Sequence, residues 1–206
     1  MANLITLGRL VLLFVAIGLF YAGSAALALL ALALTVVVFV ADALDGWVAR
    51  RRGSDSQFGA IFDIAGDRVV ENAYWIAFAH LGLVPVAFPL IVMTRGFAVD
   101  SLRSLSYGEG KTAFGSSTMM RSWLTRWLTG SRFMRGLYGA AKALAFCFLS
   151  GLVAANLAPD SGVGRAYQNE LVQGLGWLTV YLTIALTIIR GLPVIYDSID
   201  LFRGRA

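Results

Sequence analysis

Six apolar stretches, each long enough to carry a helix across a bilayer, limit the folds open to this chain more than any other feature. A spanning helix needs roughly 20 predominantly apolar residues at about 1.5 Å rise each. The stretches run at about Asn3–Tyr21, Ser24–Val48, Gly59–Leu81, Val84–Leu105, Gly136–Leu157 and Leu171–Ile195. They break at Ala22-Gly23, at the run from Arg50 to Asp55, between Gly82 and Pro85, and over the polar residues Pro159–Glu170. None shows the ten-residue alternation of a barrel strand. The expectation is an all-α integral membrane protein: one domain over residues 1–206, built as a bundle of six transmembrane helices. Composition agrees, since 58% of the chain is hydrophobic and only 14% charged, against about 25% charged in soluble domains. Disorder, a collagen-like fibre and a disulfide-stapled scaffold are excluded, the last because Cys147 is the only cysteine. Arg9, the apolar run after it and Ala22-Gly23-Ser24-Ala25 also fit a secretory leader. The second apolar stretch follows at once, which suits a helical hairpin better.

The distribution of the 17 lysines and arginines orients the chain. Arg9, Arg50–Arg52, the segment carrying Arg103, Lys111, Arg121, Arg126, Arg132 and Arg135, and the tail with Arg203 and Arg205 alternate onto one side; the other side carries Arg165. The positive-inside rule places both termini and both basic loops in the cytoplasm, as in a bacterial inner-membrane protein. Arg68, Arg95, Lys142 and Arg190 fall inside the expected spans, where a cation normally faces the bundle interior or a wet cavity. In the basic loop Ser106–Arg135, Trp123, Leu124, Trp127 and Leu128 recur at helical spacing beside Arg121, Arg126 and Arg132. That pattern predicts an interfacial helix on the inner leaflet rather than a nucleic-acid surface.

Four carboxylates cluster at the cytoplasmic ends of the second and third stretches. Asp42 and Asp45 are three residues apart, Asp63 and Asp67 four, so each pair shares a helix face. The short connection between the stretches lets the two pairs face each other. Four bare carboxylates at low dielectric would repel or take up protons. A hard divalent cation resolves the conflict, and an all-oxygen set suits Mg²⁺, Mn²⁺ or Ca²⁺ rather than zinc. Gly46 leaves room for a ligand beside the helix backbone, Ala49 is similarly small, and Arg50 offers a planar cation suited to phosphate.

The run Asp42-x2-Asp45-Gly46-x2-Ala49-Arg50-x8-Gly59-x3-Asp63-x3-Asp67 resembles the complete signature of the CDP-alcohol phosphotransferases, with eight positions matched over 26 residues. The resemblance implies a cytoplasmic active site that transfers a phosphatidyl-type group from a CDP-linked lipid to an alcohol, with release of CMP. It further implies that Asp42, Asp45, Asp63 and Asp67 bind two ions of Mg²⁺ or Mn²⁺, and that Asp67 is also the general base. Gly46, Ala49, Arg50 and Gly59 would contact the CDP moiety, and the protein would be a homodimer.

The opening Asn3-x2-Thr6-x2-Arg9 is similar to that of the bacterial phosphatidylglycerolphosphate synthases within this family; its spacing puts the three polar residues on one helix face, suited either to further CDP contacts, which the resemblance implies for Asn3 and Thr6, or to the start of an interfacial helix. Arg95, Arg103 and Lys142 resemble that subfamily's cations for the acceptor phosphate. The implied substrates are CDP-diacylglycerol and glycerol 3-phosphate, in phospholipid biosynthesis. Gly96, Ala143 and Phe146 stand where the subfamily usually has polar residues, and Ser116–Gly130 looks like extra length, which keeps inositol phosphate open as acceptor. Outside this class, a membrane prenyltransferase also binds metal-diphosphate through aspartates. A divalent-cation transporter would use intramembrane carboxylates as an ion path, yet here the acids all lie near one side. Glu71 suits either the second layer of the site or an ion pair with Arg68. His80 reads as interfacial, Cys147 and the run from Ala25 to Ala33 as packing, and the role of Arg190 is left open.

Overall fold

A computed structural model of the chain describes residues 2–52, 57–108 and 123–197, and among these it is helical with no strand. The helices are α1 (Ala2–Phe20), α2 (Ala25–Arg52), α3 (Gln57–His80), α4 (Ala87–Gly108), α5 (Trp123–Gly130), α6 (Arg132–Leu157), α7 (Gly162–Gln168) and α8 (Glu170–Asp197). Six of them match the six expected stretches. Local chemistry sets their ends. The α1–α2 turn passes through Gly23 at φ 67° and the α3–α4 turn through Gly82 at φ 72°, a left-handed backbone that glycine adopts without strain. Ser131 Oγ accepts from the Met134 amide at 3.1 Å and so starts α6 four residues before the apolar run does. α2 continues to Arg52 rather than stopping at Val48, because arginine is a good helix former. α7 is a short helix inside the expected polar break, capped by Ser161 Oγ on the Gly164 amide at 3.0 Å.

Among the described residues, three helices are long and apolar enough to cross a membrane: α2 over Ala25–Asp42, α6, and α8 over Glu170–Tyr196. The apolar part of α1, Leu4–Phe20, is shorter. α3 and α4 are diluted by the charged residues that matter most, Asp63, Asp67, Arg68 and Glu71 on one and Arg95, Asp100 and Arg103 on the other. α1 turns Leu4, Leu7, Val11 and Phe14 outward and buries Thr6 and Arg9. Such a pattern is the reverse of a water-soluble helix and suits lipid outside with polar groups inside.

The chain divides into two compact units, residues 1–85 with 143–178, and residues 86–142 with 179–206. The first unit packs around Phe146, whose ring centroid lies 5.1 Å from that of Tyr74 and 5.0 Å from that of Trp75. The residue that departs from the subfamily's polar position is thus an aromatic core residue, fully buried. Tyr74 donates to Thr35 Oγ1 at 3.0 Å, and Thr35 in turn donates to the Ala31 carbonyl at 2.9 Å, so these buried hydroxyls are satisfied. At the end of α3 away from the aspartates, His80 Nδ1 lies 3.1 Å from the Tyr21 hydroxyl and joins two chain segments.

The second unit has a core of Met134, Tyr138, Ala141 and Leu186, against which Leu128 of α5 packs. The tryptophan-containing segment is therefore a helix, as its spacing predicts. Its Leu128 points to the core, while the exposed Trp127 stacks on Phe133. Lys111, Arg121 and the 116–122 part of the extra stretch lie outside the described residues.

Candidate active site

Asp42 on α2 and Asp63 and Asp67 on α3 each offer a carboxylate oxygen, all within 4.8 Å of one another. Their side chains are about half exposed, at 41, 49 and 44%. The hairpin of α2 and α3 thus brings together the expected aspartates that can be seen. The side chains of Asp45, Gly46, Ala49 and Arg50, like that of Asn3, lie outside the described residues; Gly59 stands two residues into α3.

The sequence groups Arg9 with Asn3 and Thr6 on one helix face but does not place it among these acids, where the structure has it. Arg9 of α1, only 2% exposed, places Nη1 2.7 Å from Asp42 Oδ1 and 3.6 Å from Asp63 Oδ1. Its Nη2 donates to Asp67 Oδ1 at 3.0 Å. Arg9 follows Thr6 by three residues on the same helix face, and that spacing was the available signal. Its target depends on how α1 packs against α2 and α3, which no local pattern gives.

α1 comes close to α3 through a small-residue contact one turn from this cluster. A Cβ added at Gly66 would lie 2.7 Å from Thr6 Cγ2. Thr6 is buried, and a β-branched side chain in a helix has little rotamer freedom. Two effects of Gly66→Ala therefore oppose each other. Helix propensity favours alanine by about 1 kcal/mol, and overpacking costs about 1–3 kcal/mol. Gly66→Ala should lower thermal stability in the wild-type background and raise it in a Thr6→Ser background, where the methyl group is gone. Thermal unfolding of the four proteins in detergent checks this; the same sign in both backgrounds would refute the contact.

Among the described residues, Arg9 sets one guanidinium against these three half-exposed carboxylates. Clustered, half-exposed oxygen donors fit a hard divalent cation. Asp42, Asp63 and Asp67 are the described residues able to hold one.

The four cations inside the expected spans sort into two groups. Arg68 pairs with Glu71 one turn on, Nη1 to Oε2 3.5 Å, and Glu71 is buried, so the ion-pair reading of Glu71 holds. The other three belong to the second unit. Lys142 Nζ lies 5.5 Å from the Tyr138 ring centroid and Arg190 Cζ 5.1 Å from the same centroid, both within cation–π range. Arg190 is buried, and its Nη2 lies 3.4 Å from the Thr129 carbonyl that accepts from it. Arg95 rests on Gly191, the next residue after Arg190: a Cβ there would meet Arg95 Cγ at 2.5 Å. Lys142 and Arg190 thus meet the same aromatic ring. The Arg103 side chain lies outside the described residues.

The model of the CDP-alcohol phosphatidyltransferase family matches residues 1–189. The chain is 29% identical over 94 residues to a Mycoplasma pneumoniae protein named CDP-diacylglycerol–glycerol-3-phosphate 3-phosphatidyltransferase, covering 46% of this chain and 40% of that one. A Treponema pallidum protein of the same name is 35% identical over 69 residues, 34% of this chain and 32% of its own. An Arabidopsis thaliana protein named CDP-diacylglycerol–inositol 3-phosphatidyltransferase 1 is 33% identical over 95 residues, 46% of this chain and 41% of its own. These matches span less than half of each relative's length. With its signature intact and nearly its whole length matched, the chain belongs to the CDP-alcohol phosphatidyltransferase family.

Proposed function

We propose that the protein is a phosphatidylglycerolphosphate synthase, transferring the phosphatidyl group of CDP-diacylglycerol to glycerol 3-phosphate with release of CMP. The observation that carries this reading is the eight-position signature, three of whose aspartates converge within 4.8 Å. Bacterial relatives named for this reaction support it. In this reading all six long helices span a bacterial inner membrane as a single domain, with the termini and the site in the cytoplasm, and the protein is a homodimer.

Asp42, Asp45, Asp63 and Asp67 would hold Mg²⁺ or Mn²⁺, two ions per site, whose chemistry would be to offset the negative charge of the donor pyrophosphate and of the CMP released. Asn3, Thr6, Gly46, Ala49, Arg50 and Gly59 position the CDP moiety. Asp67 takes the proton from the acceptor hydroxyl as that oxygen bonds to the phosphatidyl phosphorus. The bond from this phosphorus to the bridging oxygen breaks, and CMP departs with the electron pair. Arg95, Arg103 and Lys142 hold the acceptor phosphate, and Arg190, which shares Tyr138 with Lys142, joins them.

The test is CMP release by purified protein given CDP-diacylglycerol and a panel of alcohols. Glycerol 3-phosphate should be the best acceptor; chelator should stop the reaction and Mg²⁺ or Mn²⁺ restore it. Full activity in metal-depleted protein would refute the mechanism. The Arabidopsis relatives favour a second reading, an inositol-type acceptor, which the same panel separates. No CMP release with any alcohol, together with divalent-cation uptake into vesicles, would point to a transporter instead.

A further inference from the structure

Arg9 is assigned above neither as a metal ligand nor as a CDP contact, yet it is far more buried than the three described aspartates around it. Its guanidinium contacts the Oδ1 atom of Asp42, of Asp63 and of Asp67. Among the described residues, its Nη2 donates to Asp67, its Nη1 lies 2.7 Å from Asp42 Oδ1, and its buried Nε has no hydrogen-bond partner. A desolvated cation with an unsatisfied donor is costly, so attraction to the three carboxylates is what holds it there. These are the groups that a divalent ion requires. We infer that Arg9 is a positioning residue that acts as the site's resident counter-cation: it gathers the three carboxylates when no metal is bound, and it competes with the metal for them. The inference rests on the metal-dependent reading above.

Two consequences have opposite signs, and a merely structural role would give only one of them. Without Arg9 the metal-free carboxylates lose their counter-charge, so the unloaded protein becomes less stable. Without Arg9 the metal also no longer displaces a rival cation, so it binds more tightly. A lysine keeps the charge, but its compact ammonium lacks the fork that touches several carboxylates at once. It should compete less than arginine and more than a neutral residue.

The experiment is Mn²⁺ titration followed by electron paramagnetic resonance on the full-length, detergent-purified protein without CDP-diacylglycerol. It is paired with thermal unfolding of the chelator-treated protein. Arg9→Gln should lower the metal-free Tm and tighten Mn²⁺ binding at least tenfold relative to wild type; Arg9→Lys should move both in the same directions by less. If Arg9→Gln cannot be purified, Arg9→Lys decides: tighter Mn²⁺ binding than wild type supports the inference, and equal or weaker binding overturns it. Equal or weaker Mn²⁺ binding by a folded Arg9→Gln overturns it as well, while leaving the metal-dependent reading intact. Failure of the wild-type protein to bind Mn²⁺ would overturn both.

Discussion

Asp67→Asn should lower the kcat for CMP release at least roughly a hundredfold, the lower end of what a positioned general base contributes, while CDP binding stays measurable. The substitution is close to isosteric. Asparagine keeps an Oδ1 acceptor where Arg9 Nη2 now donates at 3.0 Å, so the contact between α1 and α3 has no reason to break. What disappears is one negative charge and the ability to take a proton. Asp42→Asn and Asp63→Asn remove charge from the same cluster without removing the base. Their activity should fall by a comparable factor but recover in part as Mn²⁺ or Mg²⁺ concentration rises, because their defect is in metal affinity. Asp67→Asn should not recover at saturating metal. Single-turnover kinetics across a metal titration separate the two patterns. An Asp67→Asn enzyme within tenfold of wild type at saturating metal would remove Asp67 from the base role.

The helices and half of the site are legible in the sequence because both depend on local spacing. Asp63 and Asp67 are one turn apart whatever the tertiary fold, and the short connection after Arg52 sends α3 back past α2, so convergence with Asp42 follows. What escapes local reading depends on which helix packs on which. Arg9 shares a helix face with Asn3 and Thr6 in the sequence, but its place among the aspartates emerges only when α1 is laid against α2 and α3. Arg190 is visibly out of place in an apolar run, but that anomaly acquires a meaning only when Tyr138 is found to carry Lys142 as well. Helix ends were misjudged where a polar residue extends an element beyond its apolar part, at Ser131 before α6 and at Arg50–Arg52 in α2. α7 escaped because a seven-residue helix held by a serine cap has no hydropathic signature. The charges that dilute α3 and α4 have the same origin: hydropathy falls where the proposed chemistry resides.

Lys142→Met and Arg190→Met should each raise the KM for glycerol 3-phosphate, or lower kcat/KM, by at least tenfold, equivalent to about 1.4 kcal/mol. The KM for CDP-diacylglycerol should move far less. A phosphorylated acceptor brings a dianion toward an enzyme whose aspartates repel it, and metal charge is already engaged with the donor pyrophosphate. Fixed cations elsewhere must supply the attraction. Lys142 and Arg190 are suited to this because both meet the Tyr138 ring, at 5.5 and 5.1 Å, which restrains long side chains that would otherwise lose rotamer entropy on binding phosphate. Methionine keeps most of the side-chain volume in an apolar setting, so the comparison isolates charge from packing. Arg95→Met should behave alike, and Gly191→Ala should mimic it, because a Cβ at that position would meet Arg95 Cγ at 2.5 Å and displace the stem. Uncharged glycerol serves as the control, since its use should not depend on these cations. If all three methionine variants kept wild-type kinetics toward glycerol 3-phosphate, or if they impaired glycerol and glycerol 3-phosphate equally, the phosphate-binding role would fall while the transferase chemistry at the aspartates would stand.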